Sequence, residues 1–300
     1  MTAHGPETVR KVSLWAELPS PMKTDFRESF YAYAGNVYRK EKQILNAYVP
    51  AAMGACMPEE DYLIRMRPEE LPDVYLCMSY GECSSAAFIS RFLKSGIYEA
   101  PQAWCFFPEL IVADLKQLEK RGVGCPESYD NLARPAYRDL VCLIGSGGLP
   151  DPMLPIYMYH RYGREGVKAL CRNIRTVAGP SSTIRYIGKE QNPYGAVFVM
   201  PALFAAICRK QNVRVILPES GALAEPVIYM KKAGEEYTTS RIEEFLFSGR
   251  GMQTASSRMM SPADGHGGAI PIDRFCRTHL LYPELETVAA MLKMYLAGRD

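Results

Sequence analysis

The sequence predicts an α/β fold in which buried strands alternate with helices around mostly parallel sheets. Residues 73–93 read as a β-prone run, a polar turn and apolar residues at helical spacing. Residues 138–148 read as an apolar strand that runs into Gly-Ser-Gly-Gly. Residues 196–208 read as the buried strand AVFVM followed by a helix from Pro201. Parallel sheets bind ligands at the carboxyl ends of their strands, so the turns after these strands are the candidate site.

The first third of the chain supplies two units of strand, turn and helix. The run VSLWAEL is a strand that ends at Pro19-Ser20-Pro21. Asp25 and Glu28 stand at capping-box spacing, which predicts an amphipathic helix that stops near Gly35. In the second unit residues 74–77 form the strand, and the helix that follows closes at Gly96.

The same alternation continues to the end of the chain. Short apolar runs bounded by glycine or proline predict strands, and apolar residues three and four positions apart predict helices. The predicted strands are 110–114, 138–144, 196–200, 213–217 and 226–230, and the predicted helices are 115–121, 126–132, 152–162, 164–174, 181–187, 238–247 and 283–296.

Composition and charge exclude several classes of protein. With 300 residues and 48% hydrophobic side chains, the chain can bury a large core divided between two lobes. The 35 basic and 33 acidic residues give a net charge of +2, which is too small to predict a nucleic-acid partner. The longest apolar run, 196–208, is broken by Pro201 and is too short for membrane insertion.

The first 18 residues do not have the order of a secretory signal, because charged residues recur through them. The expected location is therefore the cytoplasm for the chain as written, or outside the cytoplasm if an export signal is missing from this chain. Nine cysteines, an odd number without a repeating spacing, predict reduced thiols.

Side chains that could bind a metal or act as nucleophiles do not form a complete set. Cys77 and Cys83 have no second close pair, and His266, Cys276 and His279 lack a fourth ligand. We therefore assign no metal, no cofactor and no catalytic residue. A position near a helix start lowers the pKa of a thiol, so an enzyme that uses Cys83 in a cleft is an alternative.

Three passages occur in an order that is typical of one protein family. They are PDVYLCMS at 72–79, PESYDNLARPAYRDLVCLIGSGG at 126–148 and VRVILPESGALAEPVIYMKKAGE at 213–235. Together they resemble the type 2 periplasmic binding proteins of ABC importers, particularly the branch of ferric-iron, thiamine and phosphosugar binders. The resemblance covers nearly the whole chain from Val9.

The resemblance implies a two-lobed fold in which each lobe is a mostly parallel sheet flanked by helices and two crossover strands join the lobes. Lobe one would comprise 1–108 and 214–300, and lobe two 109–213. The implied function is that of a solute-binding protein, not an enzyme, which clamps a small ligand by hinge closure. Its partners would be a small-molecule solute and an ABC permease, and the chain is expected to be a monomer. The alternative within the same fold is a cytosolic ligand sensor or carrier.

In this family the solute contacts come from turns that follow strands. An anion such as a phosphorylated or carboxylated solute fits the hydroxyl-rich turns better than iron, since the passage NPYGA offers only one tyrosine. The corresponding residues here are Ser20, Ser79, Tyr80, Ser84, Ser85, Ser146, Gly147, Gly148, Tyr194, Glu219 and Ser220.

Overall fold

The computed structural model describes residues 12–18, 20–49, 63–77, 95–99, 101–146, 148–208, 210–247, 249–257, 261–262 and 282–296. Strands and helices alternate along this part of the chain, as predicted. The strands are β1 (Leu14–Ala16), β2 (Ala47–Tyr48), β3 (Val74–Cys77), β4 (Gln102–Asp114), β5 (Val141–Ser146), β6 (Leu149–Pro150), β7 (Ile174–Ala178), β8 (Val197–Pro201), β9 (Val213–Ile216), β10 (Leu223–Lys231) and β11 (Ser261–Pro262). The helices are α1 (Ser20–Glu41), α2 (Leu115–Lys120), α3 (Met153–Asn173), α4 (Pro180–Tyr186), α5 (Ala202–Ala205), α6 (Glu236–Phe247), α7 (Gly249–Ser257) and α8 (Tyr282–Leu296).

The chain forms two compact units. The first unit contains the described residues up to 77, 95–104 and 228–254, and the second contains 105–227 and the described residues from 255 onward. Strand β4 begins in the first unit and ends in the second, and β10 returns in the opposite sense. The chain therefore crosses between the units twice within β-strands.

The sheet of the first unit has the order β2-β1-β3-β10. Strand β1 runs parallel to both β2 and β3, and β10 is antiparallel to β3. Parallel pairing follows from the helix α1 that separates β1 from β2, because parallel strands need a long crossover connection. The carboxyl ends of β1 and β3 consequently lie at one edge of this sheet.

Helix α1 is longer than the sequence predicts. It continues through Gly35 to Glu41, so the predicted stop near Gly35 is wrong. A single glycine inside a helix costs only about 1 kcal/mol, and the buried Val37 extends the apolar face beyond it. The helix instead ends where Lys42 adopts a φ of 59°.

Aromatic side chains form the centre of the first unit. Phe245 packs edge-on against Phe26 and Phe30, with ring centroids 5.4 and 5.2 Å apart. Phe26 also meets the ring of Trp104 at 5.8 Å, and the indole N–H of Trp104 donates to the carbonyl oxygen of Leu246 at 2.9 Å. These contacts hold α1 and α6 against the start of β4.

The sheet of the second unit is built around β5. Strand β5 runs parallel to β7 and to β8, and β4 is antiparallel to β8 and to β9. Strand β9 is therefore parallel to β8, and the strand order is β7-β5-β8-β4-β9. Strands β6 and β11 are antiparallel additions of two residues each.

Helix α3 joins the two helices predicted for 152–174. Gly163 lies between them with φ 60° and ψ −152°, which is not a helical conformation, so the prediction of two helices is confirmed. Helix α8 packs against α3, which places the end of the chain with the second unit. Helix α7 has no counterpart among the predicted elements, because the glycines at 249 and 251 have low helix propensity and weaken the helical signal of the sequence.

A buried carboxylate connects three segments at the edge of the second unit's sheet where β4 ends. Asp114 is fully buried and caps α2 by accepting from the backbone N–H of Gln117 at 3.3 Å. It also accepts from the backbone N–H of Gly188 at 2.9 Å and from the amide of Asn212 at 3.2 Å.

Throughout the described ranges, no helix has the length and apolar character needed to cross a membrane.

Candidate functional site

The candidate site is the carboxyl edge of the second unit, defined as the edge where β5, β7, β8 and β9 end. These four strands are mutually parallel, so their C-terminal turns lie side by side. Helix α4 begins directly after β7 and α5 directly after β8. Strand β4 runs the other way and enters the second unit at this same edge.

The strand registers place Gly145, Pro201 and Glu109 at one level of the carboxyl edge. Glu109 of β4 pairs with Pro201 of β8. Leu143 pairs with Val199, which puts Gly145 level with Pro201 two residues farther on. Neighbouring strands lie about 4.8 Å apart, so Glu109 stands roughly 10 Å from the backbone of β5.

Glu109 is a carboxyl group enclosed by the protein. Its residue is only 2% exposed. Burial raises the pKa of Glu109 well above its usual range, and the nearby charge of Asp151 raises it further. Asp151 itself accepts a hydrogen bond from the backbone N–H of Met153, the first residue of α3, at 3.0 Å. This environment therefore favours the protonated form of the Glu109 carboxyl, which can both donate and accept a hydrogen bond.

A buried tyrosine joins the two crossover strands inside the second unit. The hydroxyl of Tyr129 donates to the carbonyl oxygen of Glu109 on β4 at 2.5 Å. The same hydroxyl accepts from the backbone N–H of Leu223 on β10 at 3.2 Å. Tyr129 is fully buried and its ring meets that of Tyr157 on α3 edge-on at 5.6 Å. The backbone around Glu109 is consequently held in place.

Four of the predicted site residues lie at the carboxyl edge. Ser146 ends β5 and Gly148 follows it, while Glu219 and Ser220 are exposed residues in the turn after β9. Ser20 begins α1 in the first unit, after the carboxyl end of β1. The remaining turn residues lie outside the described residues: Ser79, Tyr80, Ser84, Ser85 and Gly147.

Tyr194 is not brought together with these turns. It precedes β8, whereas the carboxyl edge follows β8, and the five residues of that strand separate the two positions by roughly 15 Å. Its ring packs against Tyr186 at 5.6 Å. At the next residue, Gly195 has a φ of 127°, and a Cβ there would come within 2.5 Å of the carbonyl oxygen of Leu140. The passage NPYGA thus docks β8 onto the start of β5.

The first glycine of Gly-Ser-Gly-Gly has a structural role in the packing of the chain. A Cβ at Gly145 would lie 2.1 Å from the carbonyl oxygen of Leu149 and 2.7 Å from the side chain of Val177. Gly145 therefore permits the close return of β6 onto β5, where Ser146 pairs with Leu149. The hairpin therefore explains the glycine at position 145.

Two buried carboxyl groups near strand ends, Glu109 and Glu17, are not among the predicted site residues. Glu109 lies within the apolar run FFPELIVA, and Glu17 follows β1 in the first unit and is 7% exposed. The backbone N–H of Glu17 donates to the carbonyl oxygen of Leu76 on β3 at 2.9 Å. A charged residue inside an apolar strand was the available signal, because such residues are rarely buried without a reason.

The described residues contain no group of three or more His, Cys, Asp or Glu side chains that could hold a metal ion. Cys105, Cys125, Cys142 and Cys208 are free thiols. Burial raises the pKa of Cys142 to about 12 and that of Cys105 well above the usual value, so neither is a thiolate at neutral pH. Cys83 and the set His266, Cys276 and His279 lie outside the described residues.

Residues 102–271 match the family of bacterial extracellular solute-binding proteins. The chain belongs to this family. The match contains all the strands of the carboxyl edge, and it confirms the resemblance that the three sequence passages suggested. No curated protein matches the chain.

Solved structures confirm the predicted fold of type 2 periplasmic binding proteins. The periplasmic binding protein AfuA from Actinobacillus pleuropneumoniae, solved with exogenous fructose-6-phosphate, aligns with a TM-score of 0.62 and 11% identity over 96% of this chain and 99% of that chain. The Trichodesmium protein IdiA (FutA), solved with iron and citrate, aligns with a TM-score of 0.61 and 11% identity over 96% of this chain and 98% of that chain. Apo ferric ion-binding protein A from Pasteurella haemolytica aligns with a TM-score of 0.59 and 12% identity over 97% of this chain and 100% of that chain.

Proposed function

We propose that this chain is the solute-binding component of an ABC importer and that it binds a small polar solute at the carboxyl edge of the second unit. Membership in the family of bacterial extracellular solute-binding proteins supports the class of function. The observation that carries the proposal is the convergence of the turns after β5, β7, β8 and β9 on one edge, within the region that the family match covers. Ligands of parallel sheets bind at such an edge.

In this proposal the solute is clamped between two lobes, predicted as 1–108 plus 214–300 and 109–213; residues 214–227 and 282–296 group with the second compact unit, so we assign them to lobe two. Two strands, β4 and β10, carry the chain between the compact units and are the natural place for a hinge. The hydroxyl of Tyr129, which bonds to both strands, supports a hinge whose end in the second unit is fixed. Ser20 and the predicted residues in the turn at 79–85 would supply the contacts from lobe one.

The proposed working location is outside the cytoplasm, as the name of the family indicates. There the protein would act as a monomer, deliver its solute to an ABC permease and leave the solute chemically unchanged. Among the similar structures, one was solved with fructose-6-phosphate and another with iron and citrate. A phosphorylated or carboxylated solute, free or complexed with iron, is therefore the first class to examine.

The experiment is native mass spectrometry of freshly purified protein, followed by thermal shift measurements with fructose-6-phosphate, citrate and ferric citrate. We expect a co-purified mass or a saturable rise in melting temperature with one of these solutes. A solute at a hundredfold excess over its Kd stabilises the folded state by about 2.7 kcal/mol. Solution scattering should show compaction on binding, and the recovered solute should be unaltered.

A pair of variants locates the site. Ser220→Trp places a large side chain in the exposed turn after β9 at the carboxyl edge, and Gln191→Trp makes the same change in the exposed loop before β8 at the opposite edge. We expect Ser220→Trp to reduce the ligand-induced shift by at least half and Gln191→Trp to leave it unchanged. Equal shifts in both variants, or chemical turnover of the solute, would contradict the proposal.

A further inference from the structure

The amino edge of the second unit, where β5, β7, β8 and β9 begin, carries a concentration of positive charge. Segments 115–140, 172–175, 185–196 and 210–214 form this edge, which we call the basic edge. These segments expose eleven Lys and Arg side chains but only four Asp and Glu side chains. The excess of seven positive charges is large for a chain whose net charge is +2.

The cations are spread along the whole basic edge. Lys116 follows the end of β4, Arg138 precedes β5, and Arg175 lies in β7. Lys189 precedes β8, and Arg214 lies in β9. Neighbouring strands are about 4.8 Å apart, so the five strands from β7 to β9 distribute these charges over roughly 19 Å. Each strand thus contributes an exposed cation to the same edge.

Hydrogen bonds between the loops hold the basic edge together. The side-chain amide of Asn173, which precedes β7, donates to the carbonyl oxygen of Arg134 at 2.7 Å. The guanidinium of Arg175 donates to the carbonyl oxygen of Pro193, in the loop before β8, at 2.7 Å. The bonds of Asp114 join α2 to the segments that precede β8 and β9. The exposed cations are therefore presented on loops whose relative positions are fixed.

The chemistry of the basic edge fits a surface of anionic headgroups better than a protein partner. The core of a protein interface is apolar and poor in charged residues. None of the large apolar side chains that the described chain exposes lies in the four segments of the basic edge. Lys and Arg residues are attracted by the negative potential of an anionic membrane without an apolar contact. The ring of Tyr186, with the ammonium group of Lys189 5.4 Å from its centroid, adds an amphipathic side chain of a type that is enriched at membrane interfaces.

We propose that the basic edge binds the headgroups of an anionic phospholipid membrane, reversibly and without insertion. Binding of this kind is electrostatic, so it weakens as salt screens the charges. The turns that follow β5, β7, β8 and β9 contain no Lys or Arg and lie at the opposite edge of the same sheet. The protein would therefore be held at a membrane while the proposed solute site stays on the far side of the second unit.

Co-sedimentation of the wild-type chain with lipid vesicles tests the proposal. Vesicles of phosphatidylcholine alone are compared with vesicles in which about one third of the lipid is phosphatidylglycerol. The measurement is made at about 50 mM and at about 300 mM NaCl. We expect the wild type to bind only the anionic vesicles, with an apparent affinity that falls at least about tenfold between the two salt concentrations.

Two double charge reversals locate the contact. Arg138→Glu with Lys189→Glu reverses two exposed cations of the basic edge and should weaken binding to the anionic vesicles by at least about tenfold. Arg27→Glu with Lys40→Glu reverses two exposed cations on α1 in the first unit and produces the same net charge. Because α1 is not part of the basic edge, this control should stay within about threefold of the wild type.

Three results would overturn the proposal: no binding of the wild type to anionic vesicles, equal binding to neutral vesicles, or an equal loss of binding in the two double variants. Binding to soluble polyglutamate without binding to the anionic vesicles would also overturn it, because that result would identify an acidic protein partner. None of these measurements involves a solute, so a failure here leaves the proposed function intact.

Hydrogen–deuterium exchange of the wild type covers the case in which the variant of the basic edge does not fold. Anionic vesicles should slow amide exchange in 134–140 and 187–196, which belong to the basic edge, and leave exchange in 20–41 unchanged. Neutral vesicles should change none of these segments. Exchange that is slowed equally in all three segments, or in none of them, would contradict binding through the basic edge.

Discussion

The hydroxyl of Tyr129 lies 2.5 Å from the carbonyl oxygen of Glu109 and connects it to β10 through the backbone N–H of Leu223. Replacing Tyr129 by phenylalanine removes the hydroxyl and leaves a buried carbonyl and a buried N–H without this partner. We expect Tyr129→Phe to lower the free energy of unfolding by about 1–3 kcal/mol, measured by chemical denaturation. Tyr31→Phe is the matched control, because its hydroxyl bonds to the carbonyl oxygen of Ala47 on an exposed surface. If Tyr31→Phe lowered the free energy of unfolding as much as Tyr129→Phe, the bridging role of the Tyr129 hydroxyl would be refuted.

The ring of Phe245 is the common neighbour of the aromatic side chains in the first unit. Phe245→Ala should lower stability by about 3–5 kcal/mol, because it removes buried apolar surface and leaves a cavity between α1 and α6. Tyr38→Ala on α1, a residue that is 50% exposed, should change stability by about 0.5 kcal/mol or less. Differential scanning calorimetry of both variants checks the prediction. A small loss for Phe245→Ala would mean that the cluster can collapse around the gap.

Glu109 makes stability depend on pH. Its pKa in the folded protein is raised above the usual 4.5, so the folded state binds more protons than the unfolded state between these two values. The stability contributed by the protonated group is present below 4.5 and is lost as the pH rises through the folded pKa. Glu109→Gln cannot ionise, so its stability relative to the wild type should increase from pH 4 to pH 8.

Melting temperatures of the two proteins across this pH range provide the measurement. Asp151 is the titratable neighbour whose charge acts on Glu109 within the described part of the chain, and it is present in both proteins. Glu119→Gln, at an exposed position on α2, is the control for loss of a carboxylate and should give parallel curves. Curves of Glu109→Gln that run parallel to the wild type would contradict a raised pKa.

The free thiols should differ in reactivity in the native protein. Cys105 and Cys142 are buried, whereas Cys125 is half-buried. Burial raises the pKa of Cys142 to about 12, and it raises the pKa of Cys125 as well, although Arg214 opposes the shift there. We expect iodoacetamide at pH 8 to modify Cys125 at least about tenfold faster than Cys142, as measured by peptide mass spectrometry. Comparable rates would show that the sheet around Cys142 opens readily, and full labelling of both in denaturant is the control.

Local patterns were enough to predict most elements of the fold. Residues 74–77 form β3 as predicted, because Pro72 precedes a compact β-prone run. Helix α1 differs from the prediction at both ends: it begins at Ser20, before the capping box at Asp25 and Glu28, and it passes through Gly35. Packing of its apolar face outweighs the weak local signals that were used to delimit it.

The candidate site was harder to predict because it depends on strand direction. Ser146 and Glu219 each follow a strand that ends at the carboxyl edge, so local reading placed them correctly relative to their strands. Tyr194 precedes its strand and lies at the other edge, which only the register of β8 against β5 reveals. Glu109 is brought to the edge by the antiparallel pairing of β4 with β8, a contact between residues far apart in sequence.

The three bonds to Asp114 have a consequence for how such a chain can diversify. The bonds connect Asp114 to α2 and to the segments around Gly188 and Asn212. They lie at the edge where β4 ends, opposite the turns that follow β5, β8 and β9. These bonds stabilise one side of the second unit, and the proposed binding site lies at the other. Substitutions in these turns can therefore change the solute that is bound without breaking the hydrogen bonds of Asp114 that stabilise the second unit.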